Sequence, residues 1–296
     1  MSDAVMVALD GSEKDARALA VAAALAELAG TGLHLLRVFD TPVEGLSGRA
    51  GALGVAEAVG ELRDAMRRAL AGTADELAAN TGQPLTWQIL DGADVPGVLM
   101  REAAERDVRL VVMGTRAAGA AGRALRGSVA DRVMRESPRP VVLVPPGADR
   151  LRDKRIQVDR VLVPLDGSPL AAGAVDYLLA LPGADRLEYV LVEVVPPRSD
   201  GRATAEAEQR LDEAAARVRA RGAPAVEVAV LAASQPAEAI VGSVREALVD
   251  LIVMSTRGTG GLRRMVLGSV AEGVIRSSEV PVMLLTPSDV GTGDGA

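Results

Sequence analysis

One stretch constrains this chain more than any other. Leu251-Ile-Val-Met-Ser-Thr-Arg-Gly-Thr-Gly-Gly-Leu-Arg-Arg-Met-Val-Leu-Gly-Ser269 opens as a short β-branched run, crosses a glycine-rich basic loop and closes on Gly268-Ser269 ahead of a helical pattern. A strand feeding a loop whose far end starts a helix is suited to hold an anion. The first-turn N–H groups lack intrahelical acceptors, and the helix dipole adds partial positive charge there. Glycines let phosphate oxygens approach the backbone without a Cβ in the way. Arg257, Arg263 and Arg264 lie in the loop with no Asp or Glu among them. On these grounds the stretch reads as a phosphate site.

The arrangement occurs twice. Leu110-Val-Val-Met-Gly-Thr-Arg116 runs through to Gly127-Ser128, with Arg116, Arg123 and Arg126 as its cations. A duplicated pattern identifies the chain as a repeat, and the offsets support this. Asp10-Gly-Ser12 matches Asp166-Gly-Ser168, an offset of 156, and Val38 matches Val194 at the same offset. Gly127-Ser128 matches Gly268-Ser269 at 141, as does Pro140-Val-Val-Leu-Val144 with Pro281-Val-Met-Leu-Leu285. The register changes by 15 residues after the second strand, and loop-like Thr41 to Gly54 is the expected excess.

A length of 296 residues suits two ordinary domains. The expected division is residues 1–146, a linker over 147–157, a second domain over 158–286 and a disordered tail over 287–296. Aromatics are 1% of the chain, so the core must be aliphatic, and the absence of cysteine excludes disulfides and cysteine nucleophiles. A net charge of −7 and so few rings argue against a nucleic-acid partner. The longest apolar run, Ala16 to Gly30, is broken by Arg17 and Glu27. It reads as a buried helix rather than a leader or a membrane span, which places the protein in the cytoplasm.

Within each half, continuous apolar strands alternate with helical patterns. In the first half, strands are predicted over Val5–Leu9, Leu33–Phe39, Leu85–Leu90, Arg109–Met113 and Val141–Val144. Helices are predicted over Glu13–Gly30, Glu57–Ala79, about Val95–Arg106 and about Ser128–Glu136. Five strands alternating with four helices give an α/β domain with a doubly wound parallel sheet, and the chain holds two in tandem. Ligands of such sheets bind beyond the carboxyl ends of the strands, where strand order reverses. Asp10 and Gly114 both end predicted strands, which puts them on one rim.

At the level of residues the chain resembles the universal stress protein family. The resemblance rests on Val163-Pro-Leu-Asp-Gly-Ser168, Leu251-Ile-Val-Met-Ser-Thr-Arg-Gly258 with nine residues between Gly258 and Gly268, and Pro281-Val-Met-Leu-Leu285. It spans nearly the whole chain as a tandem pair. The family's nucleotide-binding branch carries Gly-x-x-Gly-(nine residues)-Gly-Ser/Thr, and the resemblance implies ATP, with Mg²⁺ as a possible companion. Carried over, the binding residues of the first half are Asp10, Val38, Gly92, Gly114, Arg116, Gly127, Ser128 and Val129. Those of the second are Asp166, Val194, Ser255, Arg257, Gly258, Gly268, Ser269 and Val270, with Ala233 standing opposite Gly92. Each half departs from the pattern once: Ala117 replaces the second glycine of the first loop, and Ser255 the first glycine of the second. An alanine where positive φ is needed costs roughly 1 kcal/mol, whereas serine can donate a hydrogen bond. The second site is therefore expected to be the competent one. Gly119 and Gly122 could relieve the first loop, although not at the family's spacing. The resemblance also implies antiparallel pairing of the fifth strands, an internal pseudo-dimer that leaves room for a homodimer.

Plainer accounts stand beside each residue. Ser128 and Ser269 could be N-caps, Asp10 and Asp166 turn initiators, the arginines a solvated helix entrance and His34 a structural strand residue. A P-loop needs Gly-Lys-Ser/Thr, and neither Lys14 nor Lys154 has that context. A dinucleotide fingerprint is missing after the first strand, and one histidine supplies neither a metal site nor a dedicated triad. Two classes of function stay open: an ATP-binding regulatory protein with an unidentified protein partner, or an interaction module with vestigial sites. Slow ATP hydrolysis is a side reading, since Mg²⁺ and arginine can do most of the electrostatic work.

Overall fold

The computed structural model describes residues 3–40, 49–115, 128–146, 157–199, 201–256, 267–286 and 289. The first half runs β1 (Val5–Leu9), α1 (Lys14–Ala29), β2 (Leu33–Phe39), α2 (Arg49–Thr81), β3 (Leu85–Asp91), α3 (Val95–Glu105), β4 (Leu110–Gly114), α4 (Ser128–Glu136) and β5 (Val141–Val144). The second runs β6 (Arg160–Leu165), α5 (Pro169–Leu179), β7 (Glu188–Val195), α6 (Gly201–Ala220), β8 (Val226–Ala232), α7 (Pro236–Glu246), β9 (Leu251–Ser255), α8 (Ser269–Ser277) and β10 (Val282–Leu285). A short 3-10 turn, Ala184–Arg186, precedes β7. The expected linker over 147–157 lies outside the described residues except for Gln157. So does the tail, except Asp289, whose carboxylate accepts from Thr286 N at 2.6 Å.

All ten strands form one sheet in the order β3-β2-β1-β4-β5-β10-β9-β6-β7-β8. Each half is parallel with its first strand between the second and the fourth, the doubly wound order expected of it. The halves join where β5 and β10 pair antiparallel, with Val282 opposite Leu143 and Leu284 opposite Val141. Both strands are fully buried, because an apolar run with an open edge would recruit another chain. Antiparallel pairing sends the two carboxyl rims away from the central pair in opposite directions, so the candidate sites do not share a mouth.

Alternate strand residues face two aliphatic cores. Val5, Val7 and Leu9 of β1 look towards α1, α2, α5 and α6, while Met6 of β1 and Leu36 of β2 look towards α3, α4, α7 and α8. With almost no aromatic residues to fill space, α1 buries a row of alanines (Ala18, Ala22, Ala26 and Ala29) that lets it lie close to the sheet. It ends at Gly30 in the left-handed conformation, φ 63° and ψ 32°, with the Gly30 N–H returning to the last turn. Its final turn meets the second half, where Gly183 N donates to Leu28 O at 2.9 Å.

Two expectations change. Arg49 to Gly54 is helix rather than loop, because α2 extends back to Arg49 and runs 33 residues against 20 for α6. Most of the register change is therefore extra helix. Two glycines favour the loop reading of that segment, yet the alanines and leucine beside them sustain a helix. Ser12, a capping-type residue just ahead of the helix predicted from Glu13, accepts from no N–H among the described residues. Glu13 holds the N-cap position without a side-chain bond, and Asp15 caps the preceding turn instead.

His34 is structural. It is 1% exposed on β2, with Nδ1 2.8 Å from Thr86 Oγ1 and Nε2 3.6 Å from Glu102. Burial, helped by the Arg106 charge and opposed by Glu102, holds its pKa down to about 4. Because the unfolded chain binds a proton at higher pH than the folded one, His34 destabilises the fold as pH falls from about 6.5 to 4, and the loss reaches about 3 kcal/mol below that window. The fall in urea-unfolding free energy between pH 7 and 4 is expected to be shallower in His34→Asn than in the wild-type chain. An unchanged slope would refute the assignment.

Candidate functional site

Strand order reverses between β1 and β4, and again between β6 and β9, and the carboxyl ends of strands at such a reversal are where doubly wound sheets take their ligands. The register determines which residues meet there. Leu9 pairs with Arg37, and Ala8 with Met113, so Asp10 follows at the level of Val38 on one side and just beyond Gly114 on the other. In the second half Leu165 pairs with Glu193, which sets Asp166 level with Val194. Residues 28 and more than 100 positions apart in sequence thus share one rim. Val38 and Val129 pack on the α3/α4 face, and Val194 and Val270 on the α7/α8 face. The structure therefore brings Asp10, Val38, Gly114 and Val129 together, and likewise Asp166, Val194, Ser255 and Val270. Arg116, Ala117, Gly119, Gly122, Arg123, Arg126 and Gly127 lie outside the described residues, as do Arg257, Gly258, Arg263 and Arg264.

The start of α8 is fixed against the end of β9. Gly268 N donates to Thr256 O at 2.9 Å, so the glycine loop begins and ends at one point. Gly268 takes the N-cap position in an extended conformation (φ −65°, ψ 148°) without a side-chain cap. Ser269 is the first helical residue rather than the cap, and it is exposed. Helix geometry leaves the N–H groups of Ser269, Val270 and Ala271 without intrahelical acceptors. Ser128 begins α4 in the same way, also exposed.

The two first-strand turns differ in ways the motif does not reveal. In the first half the Asp10 carboxylate accepts from Lys14 Nζ at 2.8 Å and from Ser12 N at 3.0 Å. Partial burial pushes its pKa up, but those bonds outweigh burial and hold it at about 2. Asp15 accepts from Gly11 N at 2.7 Å and Asp10 N at 3.2 Å, and burial raises its own pKa. Gly11 has φ +83°, and a Cβ there would meet Arg37 Nη2 at 2.3 Å. That guanidinium also donates to Asp10 O at 3.3 Å.

In the second half Leu170 and Ala171 replace Lys14 and Asp15. Asp166 accepts from Ser168 N at 2.9 Å, and the Ser168 hydroxyl caps α5 by accepting from Ala171 N at 3.1 Å. Glu193 replaces Arg37. It is 5% exposed and receives Arg210 Nε at 3.1 Å, and Arg210 then lies over Gly167, which has φ +78°. Each half therefore sets a guanidinium over the turn glycine, from β2 in one and from α6 in the other. Lys14, Arg37, Glu193 and Arg210 are absent from the sequence-derived site. Comparing the halves position by position at offset 156 exposes the Arg37/Glu193 and Lys14/Leu170 differences, whereas Arg210 is found only by the fold.

Gly92 has a packing reason to be glycine. It follows β3, donates to Phe39 O at 3.2 Å, and a Cβ would lie 2.6 Å from Val98 Cγ2. In the second half the pair becomes Ala233 and Ala239, so volume added at one position is removed at the other.

The Universal stress protein family model matches residues 1–145 and again residues 157–286. The chain belongs to the universal stress protein family. A universal stress protein of Mycolicibacterium smegmatis is 29% identical over 195 residues, which cover 62% of this chain and 64% of that one. One from Mycobacterium tuberculosis is 30% identical over 192 residues, covering 62% and 63%. The chain thus spans somewhat under two thirds of these relatives. A universal stress protein structure from Archaeoglobus fulgidus superposes with a TM-score of 0.72 over 97% of this chain and 99% of that one, at 23% identity, and so shares its fold. Among the described residues no helix is long and apolar enough to cross a membrane, and no cluster of three His, Asp or Glu side chains is placed to hold a metal ion.

Gly92→Ala is expected to lower stability by about 1–3 kcal/mol through overpacking, and the further change Val98→Ala to recover much of that loss. A urea-unfolding double-mutant cycle measures the coupling. Purely additive effects would show that the Gly92–Val98 contact does not determine the residue.

Proposed function

We propose that this universal stress protein binds ATP at the carboxyl rim of each half, more tightly in the second, and acts as a nucleotide-dependent regulator in the stress response rather than as a dedicated enzyme. The observation that carries the reading is the convergence of Asp166, Val194 and Ser255 from three neighbouring strands, with the first turn of α8 tied to the same rim through Gly268 and Thr256. An acidic side chain beside an apolar one suits a sugar and its base. The first turn of α8, fed by the loop containing Arg257 and Gly258, suits the phosphates. Mg²⁺ would come with the nucleotide, sharing its phosphate oxygens. Bound ATP would shift the population of a signalling conformation in the cytoplasm.

The second half is the stronger candidate because Ala171 stands where Asp15 places a carboxylate on Gly11 N, and because its glycine loop keeps the second glycine, Gly258, that Ala117 replaces in the first. In the first half Lys14 already occupies Asp10, and Ala117 interrupts the loop motif. These features favour the alternative reading, an interaction module with a vestigial site, for that half alone.

Isothermal titration with ATP and Mg²⁺ is expected to give a saturable signal dominated by one site. Asp166→Ala and Gly268→Val should each weaken it at least tenfold, and Asp10→Ala much less. No saturable heat, or tight binding that survives both second-half changes, would overturn the proposal and leave the interaction module as the better account.

A further inference from the structure

The two halves also differ at the outer edges of the sheet. β3 and β8 are the two outer strands of the sheet, and among the described residues each has one unpaired edge. Trp87 of β3 and Val228 of β8 occupy the same place, paired with Leu35 and Leu191 respectively. The covering helices correspond as well, with Leu70 and Ala74 of α2 buried like Leu211 and Ala215 of α6. In that register Arg67 stands opposite Glu208, Ala71 opposite Asp212 and Arg63 opposite Thr204.

The first half fills its own edge. The Arg67 guanidinium lies 5.7 Å from the centroid of the Trp87 ring, and Arg63 bonds Asp91 at 2.9 Å. In the second half the indole becomes a valine and the guanidinium a carboxylate. What remains is a groove of about 390 Å³ between β8 and α6, floored by Val228, Val230 and Leu211 and flanked by Glu208 and Asp212. Val228 is 40% exposed there. Glu208 and Asp212 lie one helical turn apart, and among the described residues neither has an ion-pair partner, although Arg202, Arg210 and Arg217 around them are all paired.

An apolar floor, two uncompensated carboxylates and an open strand edge call for the complement of each. We propose that β8 and this groove dock an extended basic segment of a partner protein. The segment adds to the sheet beyond β8, lays an aromatic side chain on Val228 and sets an arginine or lysine beside Glu208 and Asp212. It supplies in trans what Trp87 and Arg67 supply within the first half. The residues beyond β10, Thr286 to Ala296, contain no lysine, arginine or aromatic residue and cannot play this part. A second copy docking through its own β8 would bring Glu208 and Asp212 against their equivalents, like charge on like. The groove runs up to Val195 and Ala232 at the carboxyl ends of β7 and β8, beside Val194, but its test needs no nucleotide.

The probe is a fluorescein-labelled peptide, Val-Thr-Trp-Thr-Arg-Thr-Val, which places valine, tryptophan and arginine on one face of a strand. It is titrated with the full chain and followed by anisotropy, beside a peptide with Glu in place of Arg. Saturable binding of the arginine peptide is expected, at least tenfold tighter than the glutamate peptide and weakened by salt. The paired change Val228→Trp with Glu208→Arg rebuilds the first half's arrangement and should lower affinity at least tenfold while keeping the melting temperature. The surface pair Glu208→Gln with Asp212→Asn should weaken binding several-fold whether or not the first variant folds. No saturable binding, equal affinity for both peptides, or indifference to both variants would overturn the proposal. So would sedimentation showing that the wild-type chain self-associates at concentrations where Val228→Trp/Glu208→Arg is monomeric, for the occupant would then be a second copy.

Discussion

The antiparallel pairing of β5 with β10 is the contact on which the architecture depends. Val141–Val144 and Val282–Leu285 are short, apolar and terminal in their half-sheets, so each alone would present unpaired N–H and C=O groups beside exposed valine and leucine. Pairing satisfies both edges at once and turns two five-stranded sheets into one of ten. The same contact sends the candidate rims apart and, among the described residues, leaves β3 and β8 as the outer strands of the sheet.

Duplication followed by divergence explains the differences between the halves. Both keep an aspartate at the end of the first strand and a guanidinium over the following glycine, but the surrounding charges are rearranged. The first turn is internally satisfied by Lys14 and Asp15. The second routes its guanidinium through buried Glu193 and Arg210. Gly92 with Val98 against Ala233 with Ala239 shows the same freedom in packing, volume having moved across a contact without changing the fold. Trp87 with Arg67 against Val228 with Glu208 shows it at the outer edges, where the change leaves a groove instead of a filled surface.

The parallel strands were legible in the sequence because strands buried on both faces are continuous apolar runs, and the second copy repeats them, at an offset of 156 for the first two and 141 for the rest. The placement of Asp10 beside Gly114 was also legible, since both end strands of one parallel sheet. Helical Arg49 to Gly54 was not, because glycine content outweighed the helix-forming neighbours. Lys14, Arg37 and Arg210 escaped the site for a different reason. No motif marks them, and their places depend on how a strand register and a helix face bring long side chains over a turn.

By itself the sequence determined a tandem α/β repeat with an aliphatic core and the rim at which the candidate sites lie. These follow from periodicity, offset and residue type, all of which are local or repeated along the chain, while the quoted motifs carry the resemblance to the universal stress protein family that the family model bears out. Tertiary structure alone decided that Glu102 and His34 share a buried contact, that Arg210 lies over Gly167, and that the second half leaves an acidic groove where the first is filled. Such facts depend on which side chains meet across distances in sequence that no local pattern encodes.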